Sequence, residues 1–141
     1  GLDFATRKIT SGVAKVKYEL QKKIKMGDLS AFRDEGNAQD YIEAMHLMLQ
    51  QERPDDYVIS TGTGATIEEM FRYVCELAGL EFEDVYEQDP EFMRPSDVKF
   101  LLGDSKKAQV CLGWNPKSSW KDLLKEMYEN DVSLIKRDLN L

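Results

Sequence analysis

Apolar residues recur with helical spacing near the start of the chain. The spacing predicts a helix over residues 5–23, because steps of three and four positions return to one helix face. A short segment rich in apolar residues, Ile24-Lys25-Met26, predicts a strand that stops at Gly27. The residues that form the apolar face of the helix are Ile9, Val13, Val16, Leu20 and Ile24.

A second helix is predicted over residues 38–51, with Ile42, Met45 and Leu49 turned inward. A third helix has the clearest start signal, because Thr66 and Glu69 have the spacing of a capping box. Its apolar face predicts that it continues to the glycine at position 79, where a left-handed residue ends the helix.

The rest of the chain predicts short strands and two more helices. Segments 57–59, 85–87 and 100–102 have the composition of short strands. A short helix begins at Asp104 or Ser105 and stops at Gly113, and a final helix is capped by Ser119. The pattern predicts an α/β fold with more helix than strand, in one domain over residues 1–141.

Composition and charge exclude several classes of protein. The chain has 141 residues, 42 % of them apolar, and a formal charge of −7. It contains no run of about 18 apolar residues that would span a membrane. Only the first 25 residues are basic, so a general nucleic-acid binder is excluded. Cys75 and Cys111 are too few for a disulfide framework or a structural zinc site, and a reduced, cytoplasmic setting is expected.

Several motifs have the appearance of catalytic sites. The segment 61–66, Thr-Gly-Thr-Gly-Ala-Thr, resembles a dinucleotide fingerprint, but Ile67 stands where the third glycine belongs. Tyr18 and Lys22 have the spacing of a Tyr-x-x-x-Lys pair, which we interpret as coincidence. The single histidine, His46, lacks metal-binding partners, and both cysteines are interpreted as buried apolar residues. The sequence therefore predicts no catalytic residue.

Two arginines and a lysine indicate an anion site. Arg33 and Arg94 lie in loop-forming segments, and Pro95 stiffens the second of them. A fixed arginine offers a planar fork to phosphate, and Lys8 lies in the first turns of a helix, where anions are favoured. The three side chains could converge on a diphosphate, with ordinary surface salt bridges as the alternative.

Longer motifs resemble one enzyme family in order and spacing over nearly the whole chain. They resemble the GDP-mannose 4,6-dehydratases, which are extended short-chain dehydrogenase/reductases. The quoted motifs are Thr6-Arg7-Lys8-Ile9-Thr10, Arg33-Asp34, Leu47-Met48-Leu49-Gln50-Gln51, Arg94-Pro95 and Leu112-Gly113-Trp114-x-Pro116.

The resemblance covers the C-terminal portion of the family. It implies a helix-rich substrate-binding lobe that lacks the N-terminal Rossmann sheet. The complete enzyme uses NADP to convert GDP-mannose to GDP-4-keto-6-deoxymannose, in the biosynthesis of GDP-fucose. The catalytic groups lie in the Rossmann half, which must be supplied in cis or in trans, and we expect this chain alone to bind no cofactor. Residues matching Lys8, Arg33 and Arg94 contact the nucleotide-sugar in the family.

Some positions depart from the family pattern. Asp97 replaces the usual glutamate after Arg-Pro, Glu35 and His46 replace tryptophans, and Met93 replaces an aromatic residue. We include Asp97 with the three basic residues as a candidate substrate contact. Glu35 would oppose a diphosphate if it faced the site.

Three functions are compatible with this resemblance. The chain is the substrate lobe of a dehydratase, a stand-alone nucleotide-sugar-binding module, or a non-catalytic structural or interaction remnant of the family. We also expect a homo-oligomer, because separating the lobe from its Rossmann half exposes apolar surface. No membrane or nucleic-acid partner is expected.

Overall fold

The computed structural model describes residues 4–93 and 98–141. Its helices are α1 (Ala5–Lys17), α2 (Ala38–Leu49), α3 (Ile67–Ala78), α4 (Phe82–Val85), α5 (Lys106–Leu112) and α6 (Trp120–Asp138). Its strands are β1 (Ile24–Met26), β2 (Phe32–Arg33), β3 (Ala65–Thr66), β4 (Tyr86–Gln88) and β5 (Phe100–Leu101), with a 3-10 turn at Pro90–Phe92. The predicted α/β class with a helical majority is confirmed.

The chain divides into two compact units. The first comprises Gly1–Ala31, Thr66–Lys99 and Leu124–Leu141, and the second comprises Phe32–Ala65 and Phe100–Leu123. The prediction of one domain over 1–141 stays a prediction. Among the described residues, no helix combines the length and the apolar character needed to cross a membrane.

The first unit packs α1 against α3 around a fully buried apolar core. β1 pairs in parallel with β4, with Ile24 opposite Tyr86 and Met26 opposite Gln88. Gly12 allows α1 to lie close to β1, because a Cβ at this position would be 2.6 Å from Ile24 Cδ1. The residues of the α1–α3 core include Ile9, Val13, Met70, Phe71 and Val74.

Helix α3 forms as predicted, and α1 is shorter than predicted. The Thr66–Glu69 capping box is present, and Gly79 ends α3 with a left-handed backbone at φ 70°. The prediction that α1 reaches residue 23 is wrong. The helix ends at Lys17, where Glu19 adopts φ 59° and the Leu20 N–H donates to the Lys15 carbonyl. This is a Schellman ending with a non-glycine residue in the left-handed position.

The second unit is built from α2, α5 and a small sheet. β2 pairs in parallel with β5, with Phe32 opposite Phe100 and Arg33 opposite Leu101, and the strand order is β3-β2-β5. One strand prediction for this unit is wrong. Residues 57–59 lie in the described part of the chain and do not form a strand. Their β-branched composition indicates a propensity for sheet, but a strand also needs a neighbouring strand to pair with. Val58 in this segment is exposed.

Helix α2 turns the opposite apolar face inward from the one predicted. Ile42, Met45 and Leu49 are 62 %, 58 % and 82 % exposed. The buried positions are Asp40 and Ala44. Apolar residues occur on both sides of α2, so periodicity alone could not identify the inner side. The core of this unit contains Ala44, Ala108, Leu112 and Trp114, with Tyr41, Leu47, Met48, Tyr57 and Ile59 packed against it.

Buried polar contacts hold the ends of the second unit in place. The Asp40 carboxylate accepts hydrogen bonds from the backbone N–H groups of Lys117 and Ser118, both at 3.0 Å. The Trp114 indole N–H donates to the Asp40 carbonyl oxygen at 2.8 Å. The start of α2 thereby fixes the turn that leads into α6.

Candidate functional site

Arg33 lies at the end of β2 in the second unit, where the strand pairs with Leu101. The residue is partly buried, and its Nη1 donates to the Phe32 carbonyl oxygen at 2.8 Å. This bond ties the guanidinium to its own strand, and a guanidinium is the side chain whose planar N–H groups match a phosphate. The structure therefore places Arg33 on a paired strand, whereas the sequence placed it in a loop.

The Asp34 carboxylate gathers two loops beside Arg33. Its Oδ1 accepts the Thr61 N–H at 3.0 Å and the Thr61 hydroxyl at 2.5 Å. Its Oδ2 accepts the N–H groups of Gly62 at 3.0 Å and Gly103 at 3.3 Å. We call these four residues, Asp34, Thr61, Gly62 and Gly103, the Asp34 clamp. Sequence reasoning missed the clamp, because its partners are 27 to 69 positions away along the chain.

The clamp occupies the segment that resembles a dinucleotide fingerprint. The N–H groups of Thr61 and Gly62, which would face a pyrophosphate in such a fingerprint, are bound to Asp34. With Ile67 in place of the third glycine as well, the segment does not fit a dinucleotide cofactor. The interpretation of this segment as a tight turn before α3 therefore agrees with its hydrogen bonds.

Glu35 is a partly buried carboxyl group next to these residues. Burial raises the pKa of Glu35 above its ordinary value, Arg33 opposes this rise, and Asp34 adds to it. Burial, together with the charges of Asp34, Glu35 and Asp40, also raises the pKa of Tyr41. The protein environment therefore disfavours the charged form of Glu35, in spite of the adjacent guanidinium.

Lys8 lies in the first turn of α1, in the first unit. Its ammonium group stands over the Phe92 ring, 3.6 Å from the ring centroid, in a cation–π contact. The backbone of Phe92 lies close to Gly27, where a Cβ would be 2.2 Å from the Phe92 carbonyl oxygen. Phe92 thus packs against the residue that follows β1, and its ring contacts the Lys8 ammonium near the start of α1, where helix N-termini favour anions.

The structure describes two of the four candidate contacts. Lys8 belongs to the first unit and Arg33 to the second. The other two candidates, Arg94 and Asp97, lie outside the described residues. Convergence of the four side chains on one ligand therefore stays a prediction.

The isolated signals for catalysis have structural explanations. Tyr18 is the C-cap that follows α1, and Lys22 lies beyond the left-handed Glu19, so the two do not share a helix face. His46 is exposed on the surface of α2. Cys75 is buried, and burial raises the pKa of its thiol to about 12. The prediction that Cys111 is buried is wrong, because it lies on the exposed side of α5.

A surface groove of about 350 Å³ in the first unit contains two further carboxylates, those of Asp28 and Glu68. Lys99 pairs with Asp28, and Arg72 Nε lies 2.8 Å from Glu68. Within residues 4–93 and 98–141, no group of His, Cys, Asp and Glu side chains is arranged to hold a metal ion. The groove therefore offers no unpaired carboxylate for a ligand.

Comparison with known proteins decides the family. A family model described as GDP-mannose 4,6 dehydratase matches residues 1–127. The chain belongs to this family. GDP-mannose 4,6 dehydratase 2 of Arabidopsis thaliana is 46 % identical over 138 residues, which cover 98 % of this chain and 37 % of the relative. GDP-mannose 4,6 dehydratase 2 of Caenorhabditis elegans is 42 % identical over 154 residues and is covered to 40 %.

The chain thus spans less than half the length of these dehydratases and matches their C-terminal portion. Solved structures agree on the fold. The structure of RMD from Pseudomonas aeruginosa complexed with NADPH matches with a TM-score of 0.85 at 22 % identity, over 95 % of this chain and 44 % of that one. UDP-glucose 4-epimerase of Thermotoga maritima with UDP-glucose matches with a TM-score of 0.79 at 26 % identity, over 96 % and 41 %. The expected lobe of an extended short-chain dehydrogenase/reductase without its Rossmann sheet is confirmed.

Proposed function

We propose that this chain is the substrate-binding lobe of a GDP-mannose 4,6-dehydratase and contributes recognition of GDP-mannose. The observation that carries the proposal is the 46 % identity to the Arabidopsis dehydratase over 98 % of this chain. The complete protein would convert GDP-mannose to GDP-4-keto-6-deoxymannose, with its catalytic groups outside the chain.

Two of the basic candidate residues, Arg33 and Lys8, lie in the described part of the chain and support a role in binding a diphosphate. Arg33 carries a guanidinium at the end of a paired strand, and Lys8 carries an ammonium at the start of a helix. Arg33 offers a cation fixed on a strand, and Lys8 combines a cation with the N-terminal backbone N–H groups of α1; both kinds of donor bind phosphate oxygens. Arg94 and Asp97 are proposed as further contacts from the family pattern alone.

An exposed apolar face on α2 supports the presence of a partner. Ile42, Met45 and Leu49 are spaced three and four residues apart on one side of the helix, and each is more than half exposed. We call them the α2 apolar stripe. Because such a patch is costly to leave in water, we propose that the Rossmann half of the enzyme, in cis or in trans, covers it.

The remaining properties of the complete enzyme are proposals of the same kind. NADP would bind to the Rossmann half, since the glycine-containing segment of this chain does not fit a dinucleotide. A homo-oligomer and a cytoplasmic location stay predictions. Self-association of the isolated chain would follow from the α2 apolar stripe, and light scattering that showed a stable monomer at high concentration would contradict it.

Calorimetric titration of the chain with GDP-mannose tests recognition, with UDP-glucose as the comparison ligand and no NADP. Saturable binding that prefers GDP-mannose is expected. Arg33→Ala should weaken it by roughly tenfold or more, as expected for loss of a charged hydrogen-bond partner. Arg53→Ala removes the same side chain from an exposed segment of the same unit and should leave the affinity unchanged.

The same design applies to Lys8. Lys8→Ala should weaken binding, whereas Lys17→Ala, which removes an exposed lysine from the other end of α1, should not. Equal effects of each variant and its control would mean that net charge, rather than a site, determines affinity. In that case recognition by this lobe would be contradicted.

A second experiment separates an enzyme lobe from a binding module. The chain is joined to the N-terminal part of the Arabidopsis relative and supplied with NADP and GDP-mannose. Formation of a 4-keto sugar would support the dehydratase. Binding of GDP-mannose without turnover would favour the stand-alone module, and neither binding nor turnover by a folded fusion would favour the structural remnant.

A further inference from the structure

The Asp34 clamp stabilises three separate segments around one carboxylate. Asp34 directly follows the strand that carries Arg33, and its own backbone N–H donates to the Leu101 carbonyl oxygen at 3.1 Å. Its side chain accepts donors from positions 61, 62 and 103 at 2.5 to 3.3 Å. The residue that follows Arg33 therefore connects β2, the loop before α3 and the segment after β5.

The chemistry of the clamp requires a carboxylate. Four hydrogen bonds converge on two oxygens, two on each, and each donor is an N–H or O–H group. A carboxylate supplies acceptors on both sides, whereas an amide presents an NH₂ group on one of them. Asparagine at position 34 has nearly the same shape, yet it would leave at least one backbone N–H facing another N–H group.

The packing around the clamp leaves little room for adjustment. A Cβ on Gly64 would lie 2.2 Å from the Arg33 carbonyl oxygen, and a Cβ on Gly103 would lie 2.3 Å from Ser60 Cβ. The loop before α3 thus approaches the Arg33 strand, and the segment after β5 approaches Ser60, at distances that only glycine permits. Loss of a clamp hydrogen bond would therefore shift the backbone that carries Arg33.

We propose that Asp34 is a positioning residue for nucleotide-sugar binding, and that it acts by fixing the backbone from which Arg33 presents its guanidinium. This inference rests on the proposed function, because Arg33 is the group that would contact the diphosphate. The Asp34 carboxylate accepts hydrogen bonds from three backbone N–H groups and one hydroxyl of the protein, and it acts through Arg33.

Nuclear magnetic resonance on the 141-residue chain tests the positioning without any ligand. In Asp34→Asn, amide exchange at Gly62 and Gly103 should become about tenfold faster or more, as expected when a hydrogen bond to a charged group is lost. The backbone order parameter at Arg33 should fall from about 0.85 towards 0.6. The matched control is Ser60→Ala, which removes a buried hydroxyl without a partner among the described residues and should change neither quantity.

A double-mutant cycle with GDP as the probe tests whether the effect passes through Arg33. Asp34→Asn should raise the dissociation constant for GDP by about tenfold, which corresponds to about 1.4 kcal/mol. In the Arg33→Ala background, Asp34→Asn should raise the dissociation constant less than about twofold, because the group that Asp34 positions is already absent. A general loss of folded protein would lower the signal equally in both backgrounds.

The outcomes distinguish this inference from the proposed function. An Arg33 backbone that stays ordered in Asp34→Asn overturns the positioning role, whatever the affinity for GDP. Additive effects of Asp34→Asn and Arg33→Ala overturn it as well. Loosening of Arg33 in a chain that binds no GDP supports the positioning of Arg33 and contradicts recognition by this lobe. If Asp34→Asn does not fold, Thr61→Val, which removes one donor, should show the same changes to a smaller degree.

Discussion

Removal of the Asp40 carboxylate should destabilise the second unit more than removal of any exposed acid. Asp40 is 5 % exposed and accepts two backbone hydrogen bonds, from Lys117 and Ser118. It also lies in the first turn of α2, where a negative charge is favourable. Asp40→Ala deletes all of these interactions in one substitution.

The magnitude follows from the hydrogen bonds. Each bond to a charged group contributes about 1.5–3 kcal/mol, which for two bonds gives an upper range near 6 kcal/mol. Position 117 is exposed, so water can replace part of what is lost there. We therefore expect Asp40→Ala to lower the free energy of unfolding by about 3 kcal/mol. For a chain of this length, that corresponds to a fall in Tm of about 10 °C.

Thermal and urea unfolding followed by circular dichroism measure the effect, with Glu43→Gln as the matched control. Glu43 lies on the same helix and pairs with Lys117 Nζ at 2.6 Å, but both side chains are exposed and such pairs contribute little. The loss of stability in Asp40→Asn should lie between those of Asp40→Ala and Glu43→Gln. Oδ2 accepts both hydrogen bonds, and the single oxygen of the amide could replace it. If Asp40→Ala costs no more than Glu43→Gln at an unchanged urea m-value, the carboxylate does not hold this turn.

Three further substitutions test local features of the fold. Glu35→Gln should stabilise the protein at pH 7 and not at pH 4, and thermal melts at both pH values measure this. The reason is that the pKa of Glu35 is raised in the folded protein, so folding becomes less favourable as the pH rises above about 4.3, the pKa of a glutamate in the unfolded chain. Thr66→Ala should cost about 1 kcal/mol in urea unfolding, and an unchanged midpoint would contradict the capping box. Gly64→Ala should cost about 1–3 kcal/mol, because its Cβ would meet a backbone oxygen, and a melt identical to the wild type would refute the close approach.

Local signals in the sequence predicted the parts of the fold that depend on neighbouring residues. The capping box at Thr66 and Glu69 and the glycine ending at Gly79 both form, because each involves residues within one or two helical turns. The end of α1 could not be predicted in the same way. Its left-handed residue is Glu19, and a glutamate carries no signal for that conformation.

Failures at α2 and at residues 57–59 have a different cause. α2 has apolar residues on both sides, and the protein buries the side that contains Ala44 while Ile42 and Leu49 stay exposed. Which side is buried depends on the elements that pack against the helix, and periodicity does not contain that information. A strand at 57–59 likewise requires a neighbouring strand, which the described residues do not provide.

The candidate site was predicted in part. Lys8 and Arg33 were named from their motifs, and the structure gives each a defined setting, over Phe92 and on β2. The contributions of Asp34 and Phe92 could not be predicted, because their partners are distant in the sequence. The glycines at positions of close backbone approach were the only signal in the sequence. A glycine indicates that another part of the chain can come close, but it does not identify which part.

Two carboxylates near the start of the second unit perform similar structural tasks. Asp34 collects backbone N–H groups from the loop before α3 and from the segment after β5, and Asp40 collects those that lead into α6. Each is an acceptor where loops meet a strand or helix, so this unit fixes its loops through charge-assisted hydrogen bonds as well as through its apolar core. Arg33 is adjacent to the first of these carboxylates. An anion that binds Arg33 would therefore contact a backbone already held in place, and little of its binding energy would be needed to order that loop region.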